Sequence, residues 1–224
     1  LWQLRLPRIL LAGIVGAALA TSGAAYQGLF RNPLADPYLI GVAAGAGLGA
    51  TVVLVTGVPL FVAGLSLLPV AAFAGGSVAV TLAYVIARQS GGTALGTLIL
   101  AGVAIGSLAG AVTSLLLIRG DPDLRPVLSW LLGGFISARW SHSLIVIVYL
   151  APAAAVLVAY GRILNLMQLD EEHAAQLGVN VERTKLLLVA SATLATAVAV
   201  SFSGLIGFVG LVAPHAVRLV WGGD

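Results

Sequence analysis

Cysteine is absent from the chain, which removes disulfides, thiolate metal sites and cysteine nucleophiles at once. Charge is nearly absent too: Asp, Glu, Lys and Arg together make up 8% of the residues, against about 25% in ordinary soluble domains. Lysine is reduced to Lys185, which stands between Thr184 and Leu186, so the Gly-Lys-Ser/Thr of a phosphate-binding loop does not occur. The three histidines, His142, His173 and His215, are far apart and form no His-Glu-x-x-His pair, and no carboxylate pair lies inside an apolar run. No catalytic residue, metal ligand set or cofactor is therefore expected. The net charge of +3 rests on 11 basic and 8 acidic residues, too few and too scattered for a nucleic-acid footprint.

What remains is apolar. Hydrophobic residues reach 60% and the mean hydropathy is +1.08. A water-soluble fold of this length could not hide that much apolar surface, so lipid is the solvent for most side chains. A charge at the bilayer centre costs at least about 2.5–3.5 kcal/mol, and a crossing helix needs about 20 residues, so charge-free runs locate the spans. They give Ile9–Phe30, Tyr38–Gly57, Leu67–Ala87, Ala94–Ile118, Trp140–Gly161, Leu186–Ser203 and a shorter segment, Leu205–Val220. Gly57 with Pro59 separates the second from the third, and Ser203-Gly204 the last two. The expected fold is an all-α polytopic transmembrane helical bundle with about seven membrane segments, a single membrane domain over residues 1–224.

Pro126–Ala138 is too short to cross and reads as a short helix at the interface. Trp2, Tyr38, Trp140, Tyr160 and Trp221 fall near span ends, where amphipathic rings prefer to sit. No Asp or Glu falls within a span, and the basic residues, Arg218 included, are assigned to the loops. They divide six against five between the two sides, which leaves orientation undetermined by charge. Proton- or sodium-coupled carriers usually need an intramembrane ionisable group or a broken-helix ion site; lacking the first, the chain reads as driven by an outside energy source.

Gly41, Gly45 and Gly49 recur every fourth residue, as do Gly102, Gly106 and Gly110. Each series draws a stripe down one helix, for close helix packing or for lining a smooth pathway. The longest hydrophilic stretch is Gln168–Lys185. Within it Asp170, Glu171 and Glu172 suit the first turn of a short helix, Ala174, Ala175 and Leu177 would give it an apolar patch, and Gly178 would end it. Such an element between two spans is either a passive loop or a docking helix. Asn32-Pro33-Leu34-Ala35-Asp36-Pro37 joins the first two spans, its two prolines ending helices and stiffening the turn.

The run from Arg31 through Val42, Arg-Asn-Pro-Leu-Ala-Asp-Pro-Tyr-Leu-Ile-Gly-Val, closely resembles the signature of the FecCD/BtuC family of permease subunits. Three further stretches resemble it in order: Trp2–Arg8, Leu177–Arg183 and Gly207–His215. The resemblance implies the membrane subunit of an ATP-driven ABC importer, multi-pass in the bacterial cytoplasmic (inner) membrane. Its substrate would be a metal chelate, iron–siderophore first, then haem or cobalamin. The family has ten helices, of which this chain, opening on Leu1, would be a fragment carrying the second to the eighth. The implied partners are a second permease copy forming a homodimer, ABC ATPase subunits, an extracytoplasmic substrate-binding protein and membrane lipid. Arg5 and Arg8 would face outside, Arg5 pairing with a glutamate of the binding protein. Asp170, Glu171, Glu172, Ala174, Leu177 and Gly178 would form the ATPase-coupling element, although the family usually has Gly where Asp170 stands. A secondary transporter or a channel is the alternative, and a membrane scaffold a third.

The first expectation follows from the missing phosphate-binding loop and the expected absence of intramembrane charge. Purified into liposomes alone, the chain should hydrolyse no ATP and take up no chelate under a proton or sodium gradient; gradient-driven uptake would contradict the reading.

Overall fold

A computed structural model describes residues 2–58, 61–62, 65–89, 95–119 and 124–222. Their helices are α1 (Arg5–Phe30), a 3-10 turn (Pro37–Ile40), α2 (Val42–Thr56), α3 (Leu67–Gln89), α4 (Leu95–Arg119) and α5 (Leu124–Leu131). Then follow α6 (Trp140–Ala159), α7 (Gly161–Leu169), α8 (Glu171–Gln176), α9 (Val181–Ser203) and α10 (Val209–Trp221). A two-residue antiparallel pairing, Phe61–Val62 with Leu65–Ser66, joins α2 to α3. Among the described residues five helices are long and apolar enough to cross a membrane, and α2 and α10 are shorter apolar helices. These seven correspond to the seven segments read from the sequence.

The boundaries differ where polar residues extend a helix beyond its apolar core. α1 begins at Arg5, so Arg5 and Arg8 lie on its first turns and not before it; Pro7, third in the helix, costs no hydrogen bond there. α9 begins at Val181, five residues before the charge-free run, with Asn180 Oδ1 accepting from the Arg183 N–H at 3.0 Å. Arg218 lies inside α10, not in a loop. The interfacial helix expected over Pro126–Ala138 is corrected: only Leu124–Leu131 is helical, Val127 is buried, and Gly134 N–H donates to Ser203 O at 2.7 Å. That segment therefore packs onto the end of α9.

Two ends of the bundle can be followed through contacts. At one, Arg8 donates to Ile136 O (3.0 Å) and Trp140 to Trp2 O (3.2 Å). At the other, Arg31 donates to Met167 O (2.6 Å) and Lys185 meets Glu171 (2.7 Å). α1 runs from the Arg5 end to the Arg31 end, and α9 runs back.

Between α1 and α2 the chain reverses into the bundle. Pro37 packs on Gly210, which also adjoins Leu19 O of α1. Leu19 lies 11 residues before the end of α1, about 16 Å at 1.5 Å per residue. The stretch after α9 does the same in the opposite sense, leaving at Gly204 and starting α10 beside Gly23. Each half thus contains a long helix, a break and a short helix, in antiparallel senses.

The glycine stripe of α2 meets neighbouring backbone. A Cβ on Gly45 would collide with Gly75 O, one on Gly49 with Ala71 O, and one on Gly41 would come within 2.9 Å of Gly102 O. In α4, a Cβ on Gly102 would collide with Leu39 and Ile40 backbone and one on Gly106 would sit 3.7 Å from the Gly41 Cα, an ordinary contact, whereas one on Gly110 would meet nothing within 4 Å. Gly49→Ala should therefore push α2 and α3 apart and cost about 1–3 kcal/mol, read as a lower thermal midpoint in detergent. Gly110→Ala should be neutral or slightly stabilising. Equal effects at both positions would contradict this packing.

Candidate functional site: two chain breaks and a capped helix

In lipid every backbone N–H and C=O must find a partner inside the protein, so each break needs side chains that replace helical hydrogen bonds. At the first, Arg31 ends α1 at φ 50° and its N–H returns to Gly28 O at 3.3 Å. Asn32 Oδ1 accepts from Leu34 N–H (2.9 Å), carrying the turn through Pro33. Asp36 Oδ1 caps the 3-10 turn by accepting from Tyr38 N–H (2.8 Å), with Pro37 at the position where no N–H is needed. These are the physical roles of Arg31, Asn32, Asp36 and Pro37 in the motif.

Tyr38 then links the two breaks. Its hydroxyl donates to Ile206 O at 3.0 Å and accepts from Ile206 N–H at 3.2 Å, using both capacities of a phenol. This corrects the expectation of an interfacial aromatic anchor: Tyr38 packs against all three core clusters.

In α10, Pro214 has no N–H to give Gly210 O, its partner one turn earlier. Gln27 of α1 approaches that carbonyl instead, Nε2 lying 3.4 Å from Gly210 O and 3.3 Å from Leu211 O. Its Oε1 accepts from Arg218 Nη1 at 2.6 Å. The arginine inside the last segment is thus tied to a neutral amide of α1. Among the described residues no group of three or more His, Asp or Glu is placed to hold a metal ion.

At the Arg31 end, α7 forms a helix separate from α6, starting at Gly161 where the charge-free run stops; the sequence reading assigned no element there. Asp170 does not sit in the first turn of α8 but caps it, Oδ1 accepting from Glu172 N–H at 2.9 Å, with His173 on its other oxygen. Those hydrogen bonds, that from Glu172 foremost, hold the Asp170 carboxyl below the usual carboxylate range. Glu171 and Glu172 occupy the first turn, and Gly178 follows the helix at φ 88°. The apolar patch divides. Ala174 is fully buried and anchors α8 to the bundle, while Ala175 and Leu177 face outward, Leu177 at 71% exposure. Glu171 is held from within by Lys185 and Arg31. At the far end Arg5 is exposed and has no side-chain partner among the described residues, whereas Arg8 is engaged with Ile136 O.

The whole chain, residues 1–224, matches the model of the FecCD transport family. The protein belongs to that family. It is 48% identical over 221 residues to the cobalamin import system permease protein BtuC of Halobacterium salinarum, covering 99% of this chain and 59% of that protein. To the hemin transport system permease protein HmuU of Yersinia pestis it is 42% identical, covering 99% and 67% respectively. A solved structure described as a metal-chelate type ABC transporter in an inward-facing conformation superposes with a TM-score of 0.91 at 35% identity, covering 100% of this chain and 70% of that one. The chain thus spans about three fifths to two thirds of the length of these relatives.

Proposed function

We infer that the chain is the membrane-spanning permease part of an ATP-driven ABC importer for a metal chelate. The relatives named for cobalamin and hemin support cobalamin or haem as cargo ahead of the iron–siderophore suggested by the motifs alone. In the full assembly two permease copies enclose the pathway in the cytoplasmic membrane. ATPase subunits sit at the Arg31 end and a substrate-binding protein docks at the Arg5 end, where the unpartnered Arg5 is the better candidate for a rim ion pair. Alternating access follows from ATP-driven movement of the ATPases, passed to the bundle through α8. A secondary transporter gains no support from Arg218, which is bound to the Gln27 amide.

One observation carries the reading. A helix of six residues, Glu171–Gln176, is capped, anchored by Ala174, and followed by an apolar side chain, Leu177, turned away from the protein at the Arg31 end. Held so, Leu177 can enter a pocket on a partner at little cost in ordering. Leu177→Asp would place an unpaired charge in that contact and cost several kcal/mol of association. Coexpressed with its ATPase, the variant should insert in the membrane normally, lose most of the copurifying ATPase and lose uptake. Normal copurification would show that this stretch is only a loop.

A further inference from the structure

Glu171 stands where four elements meet. Its Oε2 accepts from Lys185 Nζ of α9 at 2.7 Å, and its Oε1 lies 3.9 Å from Arg31 Nη2. The same Arg31 nitrogen donates to Met167 O of α7 at 2.6 Å, and Arg31 is the residue at which α1 ends and the first break begins. Lys185 is the only lysine in the chain, and its side chain is 8% exposed against Glu171. The Lys185 contact is a short, charge-assisted hydrogen bond, and Arg31 adds a longer, part-exposed ion pair on the other oxygen. Beyond it, Ala174 is the one buried residue of α8.

We propose that Glu171 is the positioning residue through which α8 moves the bundle, a latch joining it to α9 through Lys185 and to the α1 break through Arg31. The break held by Arg31 leads to Tyr38, and α9 leads to the break that Tyr38 holds, so one displacement at α8 reaches both ends of that hydroxyl link. This rests on α8 facing the ATPase, and it goes further in assigning Glu171 to transmission and Leu177 to docking.

Removing Glu171 alone would leave the buried Lys185 ammonium without a partner. The test therefore uses the double neutral variant Glu171→Gln with Lys185→Met, beside Glu171→Gln, in the assembled complex in proteoliposomes with its binding protein. Copurification of the ATPase and ATP hydrolysis should stay within about twofold of wild type, because the Leu177 surface is untouched. Chelate taken up per ATP hydrolysed should fall at least about fivefold, and the reversed pair Glu171→Lys with Lys185→Glu should recover part of it. In the permease alone, amide exchange over residues 174–179 should quicken in the double variant. Unchanged uptake per ATP overturns the proposal, and so does loss of copurification, which would make Glu171 a docking residue. If the wild-type permease captures no ATPase, the placement of α8 is wrong and the latch falls with it.

Discussion

In a bilayer, a backbone that leaves the helix must have its hydrogen bonds replaced by the protein itself, and this chain leaves the helix twice inside the bundle. The Tyr38 hydroxyl meets both polar groups of Ile206, and the Gln27 amide approaches the Gly210 carbonyl left by Pro214 and the neighbouring Leu211 carbonyl. Ser203 Oγ lies within donating distance of both Ala199 O and Gly204 O, at 3.0 Å from each. Without these three side chains the two reversals would expose unpaired donors and acceptors to hydrocarbon, each costing several kcal/mol. The close approach of Gly23 to Gly210 brings the breaks near enough for one tyrosine to span them.

Mechanical connection follows from the same arrangement. A continuous helix transmits a push along its axis, but a break held by a few hydrogen bonds can exist in two arrangements, which makes such a site a natural place for a conformational step. Here both breaks are supported from the Arg31 end, one by the Arg31 terminus of α1 and the other by α9 with its buried lysine. The short helix α8 is attached at that same place. The Arg5 end is built differently: Arg8 and Trp140 close on the carbonyls of Ile136 and Trp2, leaving Arg5 facing outward.

Much of this was legible in the sequence. The seven segments follow from the spacing of charge, and the boundary at Gly57 follows from a residue able to adopt φ 64°. Acids before Ala174 and a glycine after Leu177 mark α8, although Asp170 turned out to cap the helix and not to open it. The breaks were legible only in part. Pro33, Pro37 and Gly204 signal that helix stops, but no sequence pattern says that Tyr38, near a predicted span end, turns inward to a residue 168 positions away. Gln27 and Arg218 were equally silent, since their pairing joins α1 to α10, and a long-range polar contact leaves no local period. For Glu171 the local signal misled: an acid in the first turn of a solvated helix reads as a surface charge, and only the fold brings Lys185 and Arg31 to it.

All of these assignments require that Arg5 and α8 lie on opposite sides of the membrane. The absence of cysteine from these 224 residues permits a direct check with single cysteines at positions 5 and 177, labelled by a membrane-impermeant maleimide in intact cells and in inverted vesicles against the unsubstituted protein. Position 5 should label only in intact cells and position 177 only in inverted vesicles. Labelling of both from the same side would contradict the topology and, with it, the assignment of α8 to the ATPase.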